Sequence, residues 1–213
     1  MPVSDKLAKG LKQIVELKTA FARAEIMESE CSKLYGNLNW ILLNELRYAG
    51  FHLLSAVKDN GEWDEERMEK SLTLAIEHCQ VAICDSLSLI ALYLLDSCRK
   101  FAEEYKGVKE VYQVIENYDD QLSEIAKAQA HILDFFNSAK TDGHFDQEKK
   151  VSAIEGYMET MGPHIETLRK MHHSFRIEGP RIDTLRSKNN AKCFLTHAAT
   201  AIIAGLVVWF LTR

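Results

Sequence analysis

The chain has 213 residues and a mass of 24.3 kDa, with 46% hydrophobic and 27% charged residues, a formal net charge of −5 and a pI near 5.9. That mild acidity gives no electrostatic case for a nucleic-acid binder organised around a basic surface. Prolines stand only at positions 2, 163 and 180, so the 160 residues from Val3 to Gly162 contain none, which argues against a turn-rich all-β domain and for an all-α fold of long helices.

Ser4 caps a first expected helix, whose apolar residues Leu7, Leu11, Ile14, Leu17 and Phe21 recur at the three-to-four spacing of one buried stripe. It continues to about Leu34, where Tyr35-Gly36-Asn37 is a weak break. A second helix covers Leu38 to Val57 and is closed by Lys58-Asp59-Asn60-Gly61. The third begins at Asp64. From Leu72 to Leu95 it is apolar on nearly every side, as a central, surrounded helix would be. Glu77, His78, Gln80 and Asp85 make that stretch costly as a membrane span and favour a bundle core. Gly107 ends it, and Val108 to Ala139 supplies a fourth helix, stopped by Thr141-Asp142-Gly143. A fifth starts at Asp146; Pro163 is expected to bend or end it after Met161, and Gly179-Pro180 to separate its tail from a final C-terminal helix.

Cys193 to Thr212 reads CFLTHAATAIIAGLVVWFLT, without an acidic, lysine or arginine side chain. Phe194 to Leu211 would extend about 27 Å as a helix, close to the ~30 Å hydrocarbon thickness of a bilayer. Trp209 and Phe210 sit where an aromatic belt belongs, and Arg181, Arg186, Lys188 and Lys192 precede the span, which places the N-terminal part in the cytoplasm. The N-terminus is a charged amphipathic run rather than a signal peptide, so the expectation is a tail-anchored, single-pass protein. The expected architecture is a bundle of about five helices over residues 1–180, a basic connector over 181–192 and a transmembrane helix over 193–213. Cys31, Cys79, Cys84, Cys98 and Cys193 form no Cys-x-x-Cys pair and read as reduced, mostly buried thiols. No metal site or cofactor motif is legible, and the adjacent pair His172-His173 reads as solvated or at headgroup level.

Two groups of residues could carry chemistry. On the third helix His78, Asp85 and Asp96 fall on one stripe with Ser71. Polar groups there need partners: Arg47 could bridge to Asp85, or Arg47, His52, His78 and Asp85 could line a polar cleft. In the anchor, His197, Ala201, Gly205 and Trp209 recur every four residues, and Ala201-x-x-x-Gly205 is a spacing that lets helices pack closely in lipid. A ring of His197 side chains at the cytoplasmic mouth of an oligomer is one reading; a single histidine reaching for the interface is the other.

Arg47 and His52 form an Arg-x4-His motif within Glu45-Leu46-Arg47-Tyr48-Ala49-Gly50-Phe51-His52. Here the chain resembles the HEPN superfamily, all-α domains found in prokaryotic toxin and phage-defence systems, whose ribonuclease members carry Arg-x4-6-His. The resemblance implies metal-independent RNA cleavage at a dimer interface, with His52 near the 2′-hydroxyl and Arg47 on the phosphate. Imidazole and guanidinium suit those tasks. Five residues of regular helix rotate by about 140°, so the two share a face only if Gly50 permits a bend or partner chains supply complementary halves.

With its anchor, the chain is also similar to single-span accessory proteins of CRISPR-linked phage defence, over roughly residues 38 to 100. Three functional readings are open: a non-enzymatic membrane effector that oligomerises through bundle and anchor and forms a pore or perturbs the membrane; a membrane-tethered ribonuclease; or a tail-anchored scaffold. The expected partners are the membrane, in a prokaryote the inner one, and further copies of the chain, with a protein or RNA partner for the cytosolic bundle.

Overall fold

The computed structural model describes the backbone of residues 3–56, 65–138, 140–141, 144–145 and 147–211, and side chains over 8–56, 66–135, 137, 160–204 and 208. The protein is all-α. In chain order its helices are α1 (Val3–Tyr35), α2 (Trp40–Ser55), α3 (Glu65–Glu104), the single turn α4 (Val111–Val114), α5 (Tyr118–Ser138) and α6 (Gln147–Leu211). A two-residue antiparallel pairing, Lys140–Thr141 with His144–Phe145, sits between α5 and α6.

Helix α3 is the spine. Leu72, Ala75, Cys79, Ala82, Ile90, Ala91, Leu94 and Cys98 along it are almost completely buried. Among the described residues, the helix long and apolar enough to cross a membrane is Glu66–Glu104, and 61% of its most apolar stretch is covered by protein. Helix α1 runs parallel to its first part, as the Lys9–Glu69 ion pair and the Tyr35 hydroxyl on the Leu89 carbonyl show. Helix α2 runs antiparallel, with Glu45 beside His78 and the Ser55 carbonyl accepting from Arg67. The second part of α3 packs on α6, where the Cys98 thiol faces the Leu168 carbonyl and Phe101 stacks on Phe175 at 4.1 Å. Helix α5 lies antiparallel to α6, with His131 stacked on His164 at 4.5 Å.

Local chemistry explains the boundaries. Gly36 and Gly107 adopt φ values of 73° and 75°, the left-handed conformation that closes a helix cheaply only with glycine, and they end α1 and the α3 segment where expected. The Asn39 side chain accepts from the backbone N–H groups of Ile41 and Leu42 and starts α2. Helix α1 already begins at Val3, so Ser4 lies inside its first turn rather than capping it. The expected single fourth helix is two, because Asn117 takes a φ of 53° and breaks the chain between α4 and α5. The turn at 58–61 and the helix starts at Asp64 and Asp146 lie outside the described residues.

The largest correction concerns α6. Neither Pro163 nor Gly179-Pro180 interrupts it, and one 65-residue helix, about 98 Å long, runs from the bundle into the C-terminal apolar segment. A proline inside a helix costs ~3 kcal/mol through a lost N–H and a carbonyl clash. Burial of Leu168, Met171, Phe175 and Ile182 against the bundle on both sides of Pro180 offsets that cost. Gly179 is there for closeness, not for a break: the Tyr105 hydroxyl donates to its carbonyl at 3.2 Å, and a Cβ at this position would stand 3.3 Å from that hydroxyl oxygen and 3.5 Å from the Phe101 ring. Packing also continues past residue 180, since Ile182 is fully buried and the Asn189 amide donates to Glu110 at 2.8 Å. The stretch expected as a connector is therefore helix.

Two glycine substitutions separate packing from propensity. Gly50→Ala in α2, where a Cβ meets nothing within 4 Å, is expected to stabilise the bundle by ~0.5–1 kcal/mol. Gly179→Leu gains the same propensity yet is expected to lower stability by ~1–3 kcal/mol through overpacking against Tyr105 and Phe101. Denaturant midpoints of the two variants, moving in opposite directions, check this.

Candidate functional site

The polar residues of interest meet where α2 crosses α3. His78 Nδ1 is 2.7 Å from Glu45 Oε2, both side chains being largely buried. This contact holds the His78 ring against α2. The His52 ring stacks on His78 at 5.2 Å and 13°, Tyr48 lies 5.5 Å from His78, and Phe51 meets His52 edge-on at 5.7 Å. The Arg47 guanidinium carbon lies 5.3 Å from the Tyr48 ring centroid, and among the described residues no carboxylate pairs with it. Arg47, Tyr48, Phe51 and His52 together line one shallow groove.

The motif residues thus come together without the expected bend, for α2 is unbroken through Gly50. Arg47 reaches the groove from the exposed face and His52 from the half-buried flank, with Tyr48 and Phe51 bridging the angle between them. The expected stripe on α3 diverges as that long helix turns its face outward: Ser71 is buried, His78 meets Glu45 on α2, and Asp96 is exposed and bound to Lys100 at 2.7 Å. The carboxylate that meets His78 is Glu45. It lies two residues before the motif, and its position seven before His52 and one turn before Ala49 was a usable signal that it faces α3. His172, expected in solvent or at headgroup level, instead packs edge-on against Tyr93 at 5.8 Å within the bundle.

Burial and then repulsion from His78 hold the His52 imidazole below its ordinary pKa, against an opposing pull from Glu77. Burial likewise depresses His164, helped by His131, and His172, helped by Arg176. A group whose folded pKa is depressed binds fewer protons in the native state, so stability present above the unfolded histidine value is lost as pH falls through it. All three histidines act in this direction. The melting temperature is expected to drop between pH 7.5 and 5.5, with a shallower slope in a His52→Gln/His164→Gln/His172→Gln variant; equal slopes would show that these rings carry none of it.

The outer face of α2 is the second feature. Trp40, Ile41, Tyr48, Phe51 and Leu54 recur at helical spacing there, and their exposures are 71%, 66%, 44%, 61% and 77%. With ~150–250 Å² per aromatic side chain, the stripe presents on the order of 600 Å² of apolar surface, the upper end of what monomers leave uncovered. The sequence reading gave the bounds of this helix without assigning its faces; within α2 only Leu42 and Ala49 are completely buried.

The third feature is the far end of α6. After Asn189 its described side chains are exposed apart from the half-buried Ala198, including Phe194 at 73% and Ile202 and Ile203. From Asn189 to Leu211 the helix extends about 33 Å. His197 and Ala201 are on this exposed part; the side chains of Gly205 and Trp209 lie outside the described residues.

Comparison with family models, curated proteins and solved structures finds no match to this chain.

Proposed function

We propose that the protein is a membrane-anchored helical effector, of the kind used in prokaryotic phage defence, that assembles through its bundle and its C-terminal helix and forms a pore or perturbs the membrane. The observation that carries this reading is the unaccompanied end of α6: beyond the Asn189–Glu110 hydrogen bond the helix continues into the apolar stretch Phe194 to Leu211, about 27 Å long, and among the described residues no protein covers Phe194, Leu195, Ile202 and Ile203. A bilayer would cover it. The basic residues Arg186, Lys188 and Lys192 then stand at the cytoplasmic surface. The α2 stripe supports assembly, because two copies burying it against each other would remove about 1,200 Å² from water, the lower bound of a specific interface. One helix per chain encloses nothing, so a conduit needs several copies.

Continuity of α6 gives the effector its mechanics. With no flexible linker between Ile182 in the core and Phe194 at the membrane, rotation or tilt of the bundle is transmitted directly to the anchor. Dye release from vesicles carrying the full chain tests this: leakage that requires the apolar segment supports the effector reading, and tight vesicles with fully inserted protein oppose it.

A second reading, a membrane-tethered ribonuclease, is favoured by the meeting of Arg47 and His52 in one groove. Its signature is RNA cleavage by the purified chain that Arg47→Ala and His52→Ala each abolish while the fold is retained. As a scaffold the protein would show neither leakage nor cleavage.

A further inference from the structure

The bundle end nearest the C-terminal apolar stretch differs in charge from the rest of the chain. The sequence is acidic overall, at −5, yet from Thr184 to Thr212 it contains Arg186, Lys188 and Lys192 and no carboxylate. Several cations here are already engaged. Arg181 donates to the two Glu178 oxygens at 2.9 and 2.7 Å. Arg186 and Lys109 flank Glu110, whose carboxyl is held below its ordinary value first by the Asn189 amide and then by those two cations. Lys188 and Lys192 differ: both are exposed, and among the described residues no carboxylate pairs with either. They stand one turn apart on one side of α6. Lys188 also lines a groove of about 510 Å³ between α4 and α6, with Gln113 and Val114 on one wall and Pro180, Thr184 and Leu185 on the other. Along the helix Lys192 and Lys188 lie about 3 and 9 Å before Phe194, the depth of the headgroup layer that flanks a hydrocarbon core.

We propose that this end of the bundle is a docking surface for anionic phospholipid headgroups, with Lys188 and Lys192 on the lipid phosphate at the mouth of the α4–α6 groove. The proposal rests on the anchor part of the reading above and deepens it by naming the lipid class. Charge complementarity decides that class: the phosphate of a zwitterionic lipid is balanced by its own amine, whereas an anionic headgroup brings net charge to two cations without a counter-charge. Lysine suits the task, because its stem lies along the helix while its ammonium, a point charge, follows a mobile headgroup. Gln113, exposed on the opposite wall of the groove, offers an amide N–H to the same headgroup. The remainder of the chain carries the acidic charge, so an anionic membrane attracts this end and repels the rest. Because α6 is continuous from Lys188 into the apolar stretch, a bound headgroup also fixes the depth and rotation of the anchor.

The test uses the full chain, reconstituted in vesicles of equal parts phosphatidylcholine and phosphatidylglycerol and floated to read insertion. The floated protein is then released in mild detergent and weighed by native mass spectrometry with the lipids it keeps. The expected result is phosphatidylglycerol enriched about fivefold over phosphatidylcholine among the retained lipids, the ratio that one lysine at an anionic surface contributes. Lys188→Gln/Lys192→Gln is expected to return the retained lipids to the vesicle ratio while the protein still floats, and Lys188→Arg/Lys192→Arg to keep the enrichment. Equal retention of the two lipids by a wild-type chain that floats, or enrichment that survives Lys188→Gln/Lys192→Gln, overturns the docking surface and leaves the anchor standing. A wild-type chain that floats neither with these vesicles nor with pure phosphatidylcholine ones removes both.

Discussion

Removal of residues 191–213 is expected to convert a protein that sediments with membranes into one that stays in the soluble fraction, with its thermal transition retained. The described apolar side chains of the C-terminal α6 segment, Phe194, Leu195, Ile202, Ile203 and Val208, are each 60% or more exposed. At ~1.5–3 kcal/mol per fully transferred side chain, these five alone stabilise insertion by on the order of 5–10 kcal/mol, enough for an all-or-none shift in partition. The bundle does not need the segment: among the described residues the last hydrogen bond from α6 to the bundle is that of Asn189 with Glu110. Membrane flotation of the full and shortened chains, with a melting curve for each, is the check. A shortened chain that still floats with vesicles would locate the membrane contact elsewhere.

The second large effect belongs to the outer face of α2. Phe51→Glu/Leu54→Glu is expected to lower the particle mass by a whole-number factor while leaving the melting temperature of the individual bundle within a few degrees. The two side chains are 61% and 77% exposed, so a single chain loses little when they are replaced. In an interface they would be central and desolvated, and each buried carboxylate would cost several kcal/mol. Exposed tryptophan, tyrosine and arginine together on one helical stripe, as at Trp40, Tyr48 and Arg47, is also the composition that dominates binding energy where interfaces have been dissected. Light scattering of the variant against the wild type reads the outcome. Unchanged mass would assign the stripe to another partner.

Long helices were legible because proline is absent from 160 consecutive residues and because a stretch from Leu72 to Leu95 that is apolar on nearly every side is satisfied as a surrounded helix. Gly36 and Gly107 marked helix ends through backbone conformation, a property the residue type carries with it. Pro163 and Pro180 misled for the opposite reason. Their local cost is real, but tertiary burial of Leu168, Phe175 and Ile182 outweighs it, and burial by a partner helix is not written in the local sequence. Gly179 was read as punctuation when its role is to admit Tyr105. The break at Asn117 was missed because a left-handed asparagine leaves only a weak compositional trace.

At the candidate site, the Arg-x4-His pair was legible as a motif but its geometry was not. Helical rotation separates Arg47 from His52, and the reach of long side chains over Tyr48 and Phe51 closes the angle. A bridge from Arg47 to Asp85 was expected here, whereas the contact the crossing of α2 over α3 makes is Glu45 with His78. Exposure of the α2 stripe could not be read from apolar content at all. A helix that is apolar on two sides looks the same in sequence whether its second side meets its own chain or another one.

Assembly through the anchor and bundle is the claim on which the effector reading stands, and the mass of the full chain in detergent tests it most directly. A single species of several chains, reduced by Phe51→Glu/Leu54→Glu, is the predicted result. A monodisperse monomer would contradict it, because one exposed helix from one chain can enclose no path through a membrane.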